Sequence, residues 1–456
     1  MKSIPLQYES LKAVLIHMDA NIRFKISQRL PTIRITEKMV PLRVRSLRLD
    51  EYSTTVNDTV YQLGIYREFK LGENILEKIK RENDYGGIES DLDQYGFRIS
   101  PGHSLVTPGD ISFRDMNSHA LQYDTIGVER SYRDELKIYE KALLLRTNSE
   151  TDGITTTEHD GNLEGNRADL FPTYGLQMPL DTLKYHIDNL YTELLPFECR
   201  RFNLKPPYVC YIQLTIQTGK TKQIQRFPYK IKLYEAMKSL NTLLFGGRRS
   251  LILAERFHLP TSSIILRLPI GFKVGTRQLR DLPFFQNDRF NILSSILDLS
   301  FFPLDLISIY VKNANDVQHP IVSTAKTLII FGFGTDVDKR TAIRNCSNRQ
   351  VAFRSIWFTI TVEQMFGNVQ YCLENQLIET CYSYSINDEK TAKELFRLIK
   401  THINNTKRTK RCVSIKTTDR RRLEVFYIPT KSMQNEEQVE RMYDSKWILK
   451  IRIVRV

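Results

Sequence analysis

The strongest constraint on how this chain folds is a recurrence in its second half. Strand-like runs fall at Ser263 to Leu268, Leu304 to Val311, Thr327 to Phe331, Val351 to Trp357 and Thr380 to Ile386. Between them lie segments such as Asn291 to Leu297 and Val362 to Leu373, whose composition suits helices. The later strand runs return about every 20 to 28 residues, too short a unit to bury its own apolar face, so neighbouring units must stack. A layered helix-strand arrangement follows, irregular because no leucine and asparagine ladder marks it.

The rest of the chain divides by composition. From Pro41 the apolar residues alternate: Leu42 and Val44, then Leu47 and Leu49, interleave with Arg43, Arg45 and Arg48, which reads as a half-buried strand with a basic outer face. Asn57-Asp58 suggests a hairpin between Thr54-Thr55-Val56 and Thr59 to Leu63. Helices are expected over Glu73 to Asp84, closed by Gly86-Gly87, and over Glu129 to Arg146. Residues 146–169 hold almost no large apolar side chain, and from Glu150 to Asp169 six acids face only Arg167. Such a stretch buries too little surface to offset chain entropy and reads as a linker or loop. Helix Leu183 to Leu195, a hairpin turning at Thr218-Gly219-Lys220, and amphipathic helix Ile231 to Leu244 follow. Beyond the recurrent layer come helix Asp388 to Asn404 and three strands. The last, Lys446 to Val456, is expected to close the domain as an edge.

At 456 residues the chain has room for two or three domains. No apolar run approaches the roughly 18 residues that cross a bilayer, and no secretory leader is recognisable, so no membrane is expected and the chain is placed in the cytoplasm or nucleus. Six cysteines, at 199, 210, 346, 372, 381 and 412, form no C-x-x-C pair and read as small buried hydrophobes. The histidines show no zinc spacing.

Motifs of catalysis fail on inspection. Gly219-Lys220-Thr221 imitates the end of a phosphate-binding loop, but the position that requires the first glycine is Leu214, inside a strand. Phe331-Gly332-Phe333-Gly334 resembles a dinucleotide fingerprint whose third glycine would fall at Val337. No nucleophile elbow or paired carboxylates stand out. The chain is expected to be no enzyme and to hold no cofactor or metal.

Charge and the amino end point to binding instead. The formal net charge is +14, and from Arg397 to Arg422 ten Lys and Arg face Asp419 alone. Lys407, Arg408, Lys410, Arg411, Arg420, Arg421 and Arg422 would neutralise phosphates on a nucleic acid or serve as an import signal, or else form a solvated loop after a helix. At the other end, Leu11, Val14, Leu15 and Met18 fall on one helical face. After Asp19 as cap, Ile22, Ile26 and Leu30 fall on another, with Pro31 as the stop.

Pro5, followed by Leu11, Val14 and Leu15, resembles the opening of an F-box. The resemblance extends over Ile4 to Glu37, the Asn57 hairpin, Tyr66, Gly86-Gly87, Asp91 to Phe97 and Thr107-Pro108-Gly109-Asp110. It continues through Cys199 to Tyr208, Tyr211 to Ile216, Leu233 to Lys238 and Leu244 to Arg248. Together these stretches are similar to the nematode F-box C group, which carries an associated domain of unknown function. The resemblance implies that Pro5, Leu6, Leu11, Val14, Leu15 and Ile22 contact the adaptor subunit of a cullin-type ubiquitin ligase, and that the layers beyond residue 180 hold an unknown protein target. The expected class is α+β. It comprises F-box-like helices (1–40), a first α+β domain (41–146), a flexible acidic linker (147–180), a hairpin-plus-helix segment (181–260) and a leucine-rich-repeat-like layer closed by C-terminal strands (261–456).

Overall fold

The computed structural model describes residues 8–70, 75–99, 106–113, 125–152, 178–259, 265–282, 292–354, 360–375, 380–418, 420–432 and 445–455. Three helices open it, α1 (Tyr8–His17), α2 (Ala20–Arg29) and α3 (Pro31–Met39), followed by strands β1 (Leu42–Leu49), β2 (Ser53–Val56) and β3 (Thr59–Phe69). Helix α4 (Glu77–Asp84) precedes the short strands β4 (Asp91–Leu92), β5 (Arg98–Ile99) and β6 (Ile111–Ser112). Two long helices, α5 (Ile126–Asp152) and α6 (Leu180–Arg201), lead to the hairpin β7 (Tyr208–Thr218) and β8 (Thr221–Pro228). Then come α7 (Leu233–Phe245), β9 (Ile252–His258), β10 (Ile265–Leu266), β11 (Val274–Leu282), β12 (Leu306–Val311), α8 (Pro320–Ser323) and β13 (Thr327–Phe333). The rest is α9 (Lys339–Arg344), β14 (Gln350–Phe353), α10 (Val362–Asn375), β15 (Cys381–Ile386), α11 (Glu389–His402), β16 (Thr406–Arg408), β17 (Cys412–Thr418), β18 (Arg421–Pro429) and β19 (Trp447–Arg455).

Fifteen strands form one mixed sheet in the order β16-β17-β18-β19-β15-β14-β13-β12-β11-β9-β1-β2-β3-β7-β8. Strands β15, β14, β13, β12, β11, β9 and β1 are parallel, and the pairs on either side of them are antiparallel. Parallel pairing requires each connection to cross back over the sheet. Among these crossovers, α8, α9 and α10 lie on one face, where Val322, Ala342, Ile343, Met365 and Val369 join the main core.

One row of side chains shows how that core is built. Leu47 pairs with Phe257, Phe257 with Leu279, Leu279 with Ile307, Ile307 with Leu328, and Leu328 with Val351. The row continues through Tyr382, Ile451, Val425 and Val413. All ten are buried in a single cluster. A smaller cluster of Leu306, Ile329, Ala352 and Ile448 lies on the opposite face. Strand β13 is consequently buried on both sides, which fits its unbroken apolar composition.

Several local expectations change. Pro31 does not stop the helical region: it occupies the first turn of α3, where its missing N–H costs nothing. Helix α5 outlasts its expected span at both ends, and α4 begins at Glu77. That start is capped from another element, since Asp188 of α6 accepts from the backbone N–H of Glu77 (3.1 Å) and Lys78 (2.7 Å). The last strand is no edge. β19 lies between β15 and β18, placing Leu449, Ile451 and Ile453 in the core. The strand run Val351 to Trp357 yields β14 only to Phe353, and 355–359 lie outside the described residues.

Candidate protein-docking face

Helix α2 is fixed to the sheet through its polar side. Asp19 caps it, accepting from the N–H of Asn21 (2.9 Å) and Ile22 (3.3 Å), and takes a further bond from Asn57 Nδ2 (3.0 Å). Asn21 donates to the Val56 carbonyl (3.1 Å) and accepts from the Tyr61 hydroxyl (2.9 Å). Phe24 meets Phe245 of α7 edge to face at 6.1 Å. Ala20, Asn21, Arg23, Phe24 and Ser27 are all buried.

A buried ion network ties α3 to the same body. Arg23 Nε donates to Glu37 Oε1 (3.1 Å), while its Nη atoms donate to the carbonyls of Pro41 (2.7 Å), Glu37 (3.0 Å) and Val40 (3.1 Å). Arg248, just beyond α7, donates to the same Glu37 Oε1 at 2.7 Å. Burial lowers the pKa of both guanidinium groups, and the Glu37 carboxylate opposes that shift. Next to them Lys38 Nζ donates to the carbonyl of Leu243 (3.1 Å) at the end of α7. Burial and the surrounding arginines bring its pKa down to about 8. Two arginines on one buried carboxylate make removal of that carboxylate costly.

Beside these buried polar residues, several apolar ones turn outward. Ile22 is 49% exposed and Leu30 53%, with Ile26 half-buried between them at helical spacing. On α3, Ile35 is 75% exposed and Met39, one turn on, 37%. Helix α1 packs on α3, and its Tyr8 hydroxyl reaches Met39 Sδ at 3.7 Å. Ordinary surface helices bury the apolar stripe and expose the polar one. Here Ala20 and Phe24 are buried alongside Asn21, Arg23 and Ser27, yet Ile22, Leu30, Ile35 and Met39 remain exposed on two successive helices.

Of the residues expected at this face, Ile22 and Val14 are exposed, Leu11 is half-buried and Leu15 is fully buried. Pro5 and Leu6 lie outside the described residues. Sequence reading missed Ile35 and Met39, because a proline read as a stop hid the third helix. Proline at the first helical position, with Ile35 and Met39 one turn apart, was the available signal.

The basic segment is split between the two faces of the sheet. Lys407 lies in the row of Ser414, Glu424 and Arg452 on the outer face. Arg422, on that same face of β18, donates to Glu424 Oε1 (2.8 Å), and Arg452 donates to Oε2 (2.9 Å). Arg408 and Arg411 go to the helix side, over the rings of Phe396 (5.8 Å) and Trp447 (5.2 Å). Lys410 and Arg420 are exposed and Arg421 is half-buried. The run does not present one continuous surface.

Gly219 takes the positive φ of the hairpin turn between β7 and β8. Cys199, Cys346 and Cys372 are buried, and Cys210, Cys381 and Cys412 half-buried. Among the described residues no group of three or more His, Cys, Asp or Glu could hold a metal ion, and no helix is long and apolar enough to cross a membrane.

Residues 232–388 match a family described as a domain of unknown function (DUF3557). The match runs from α7 into the turn after β15, covering the parallel strands β9 and β11 to β15. No curated protein and no solved structure is similar to the chain.

Proposed function

We propose that this chain is a non-enzymatic protein-binding subunit whose N-terminal helices dock on the adaptor of a cullin-type ubiquitin ligase, while the α/β body holds a protein target. The observation that carries the reading is the set of exposed apolar residues on α2 and α3: Ile22, Leu30 and Ile35 face out while Asn21, Arg23 and Glu37 are buried. A partner that covers those residues gives their exposure a physical reason, since docking depends on a few buried apolar anchors rather than on total area. The F-box-like N-terminus supplies the identity of that partner. Membership of the nematode F-box C group, with cytoplasmic or nuclear placement, belongs to the same proposal.

The succession of parallel strands β9, β11, β12, β13, β14 and β15, adjacent in both chain and sheet, supports a leucine-rich-repeat-like body in which one face carries the crossovers. The outer face would then be available to a target.

Co-expression of the full chain with the adaptor tests the docking step. The wild type is expected to co-purify with it, and Val14→Asp with Ile22→Asp is expected to abolish co-purification while the circular dichroism spectrum stays unchanged. Leu15 is unsuitable for this purpose, because an aspartate at a fully buried position would unfold the helices. Co-purification that survives the double substitution would remove the proposal.

A further inference from the structure

The order of strands reverses at β1. From β1 the sheet grows through β2, β3, β7 and β8 in one direction, and from β9 through β11 to β15 in the other. β1 turns straight back into the antiparallel β2, and its carboxyl end lies beside that of the parallel β9. Arg48 sits at the carboxyl end of β1 and His258 at that of β9.

The residues there are unusual for a sheet surface. Arg48 pairs with His258, and His258 with Arg280 on β11, so three basic side chains occupy one row of adjacent strands. Neighbours of like charge destabilise a sheet. Two carboxylates lie close to them, Asp281 and, acting on Arg48, Asp50. Asp281 takes a positive φ of 60° where the pairing of β11 with β12 shifts register, and the distortion sets its carboxylate beside His258. His258 Nδ1 lies 2.9 Å from Asp281 Oδ2, and Arg48 Nη2 reaches the same oxygen at a long 3.5 Å. Arg354, just after β14, is near enough for its charge to act on Asp281.

The pairing is incomplete on the side of Arg48. Its guanidinium is 46% exposed and carries five N–H donors, of which Asp281 engages one weakly. Arg280, by contrast, is committed to Gln278 Oε1 at 2.8 and 3.2 Å. An open, forked donor beside a histidine oriented by a carboxylate is an arrangement that can receive a phosphoryl group.

We propose that Arg48 and His258 bind a phosphoryl oxyanion at the carboxyl edge of the parallel strands. The oxyanion comes either from a small phosphorylated molecule or from a phosphorylated side chain. The inference is independent of adaptor docking, which uses a different face.

Inorganic phosphate titrated calorimetrically into the full-length protein in chloride buffer tests it. The wild type is expected to bind one phosphate saturably, and Arg48→Gln and His258→Gln are each expected to weaken binding about tenfold or more while the melting temperature is kept. A short phosphoserine peptide is the second probe. Affinity well above that of phosphate assigns the site to a phosphorylated segment, and equal affinity assigns it to a small ligand. Absence of saturable phosphate binding by the wild type, or binding unchanged in both variants, would overturn the proposal.

Discussion

Glu37 holds the N-terminal helices to the body through two arginines at once. Replacing it with leucine leaves Arg23 and Arg248 buried without their counter-ion, and is expected to destabilise the protein by about 3–5 kcal/mol in urea denaturation. Ile35→Asp, on the exposed side of the same helix, is expected to change stability by no more than about 0.5 kcal/mol. Equal effects of the two substitutions would contradict the burial of Glu37 and the exposure of Ile35. The buried thiols give a second test. Burial pushes Cys346 and Cys372 up to about 12, so at pH 8 almost none of either is thiolate. Both are expected to resist iodoacetamide in the native protein and to react fully in denaturant, as read by mass spectrometry. Labelling of both in the native state would count against the packing described. That these cysteines behave as small hydrophobes was legible from their apolar neighbours, whereas Glu37 gave no sign of burial because its partners lie 14 and 211 residues away.

At the scale of single elements, spacing revealed the stripe Ile22, Ile26 and Leu30 correctly, but spacing carries no direction. Which side of a helix faces the body depends on what the body offers, and here it offers the Val56 carbonyl, the Tyr61 hydroxyl and Arg248. The same reason explains the misreading of Pro31, which can end one helix or begin another and begins α3. The contact between α3 and α7 has a pH signature. Lys38 has a folded pKa near 8 against an ordinary 10.5. Between those values the unfolded chain holds more protons than the folded one, so stability rises with pH across that window. Relative to Lys38→Met, the wild type is expected to gain stability between pH 8 and 10 in chemical denaturation. A flat difference would show that the ammonium loses no solvation on folding.

Across the whole molecule, the strands were legible because their β-branched and aromatic runs are. Their order was not. β1 and β9 lie 210 residues apart at their starts yet pair along their length, and no local pattern encodes such a register. The same holds for β19, which composition placed at an edge and the sheet places in its interior. Because one row of buried side chains crosses ten strands, Leu328→Ala at its middle is expected to cost about 2–5 kcal/mol and to lower a single cooperative transition. Separate transitions for the two halves would contradict a shared core. The central claim, that apolar side chains turned away from this core form a docking face, is tested most directly by the affinity of the purified adaptor for the full-length protein. Biolayer interferometry is expected to show saturable binding by the wild type and a loss of about a hundredfold or more in Ile22→Asp with Ile35→Asp at unchanged melting temperature. Wild-type affinity in that variant, or no adaptor binding by the wild type, would contradict it.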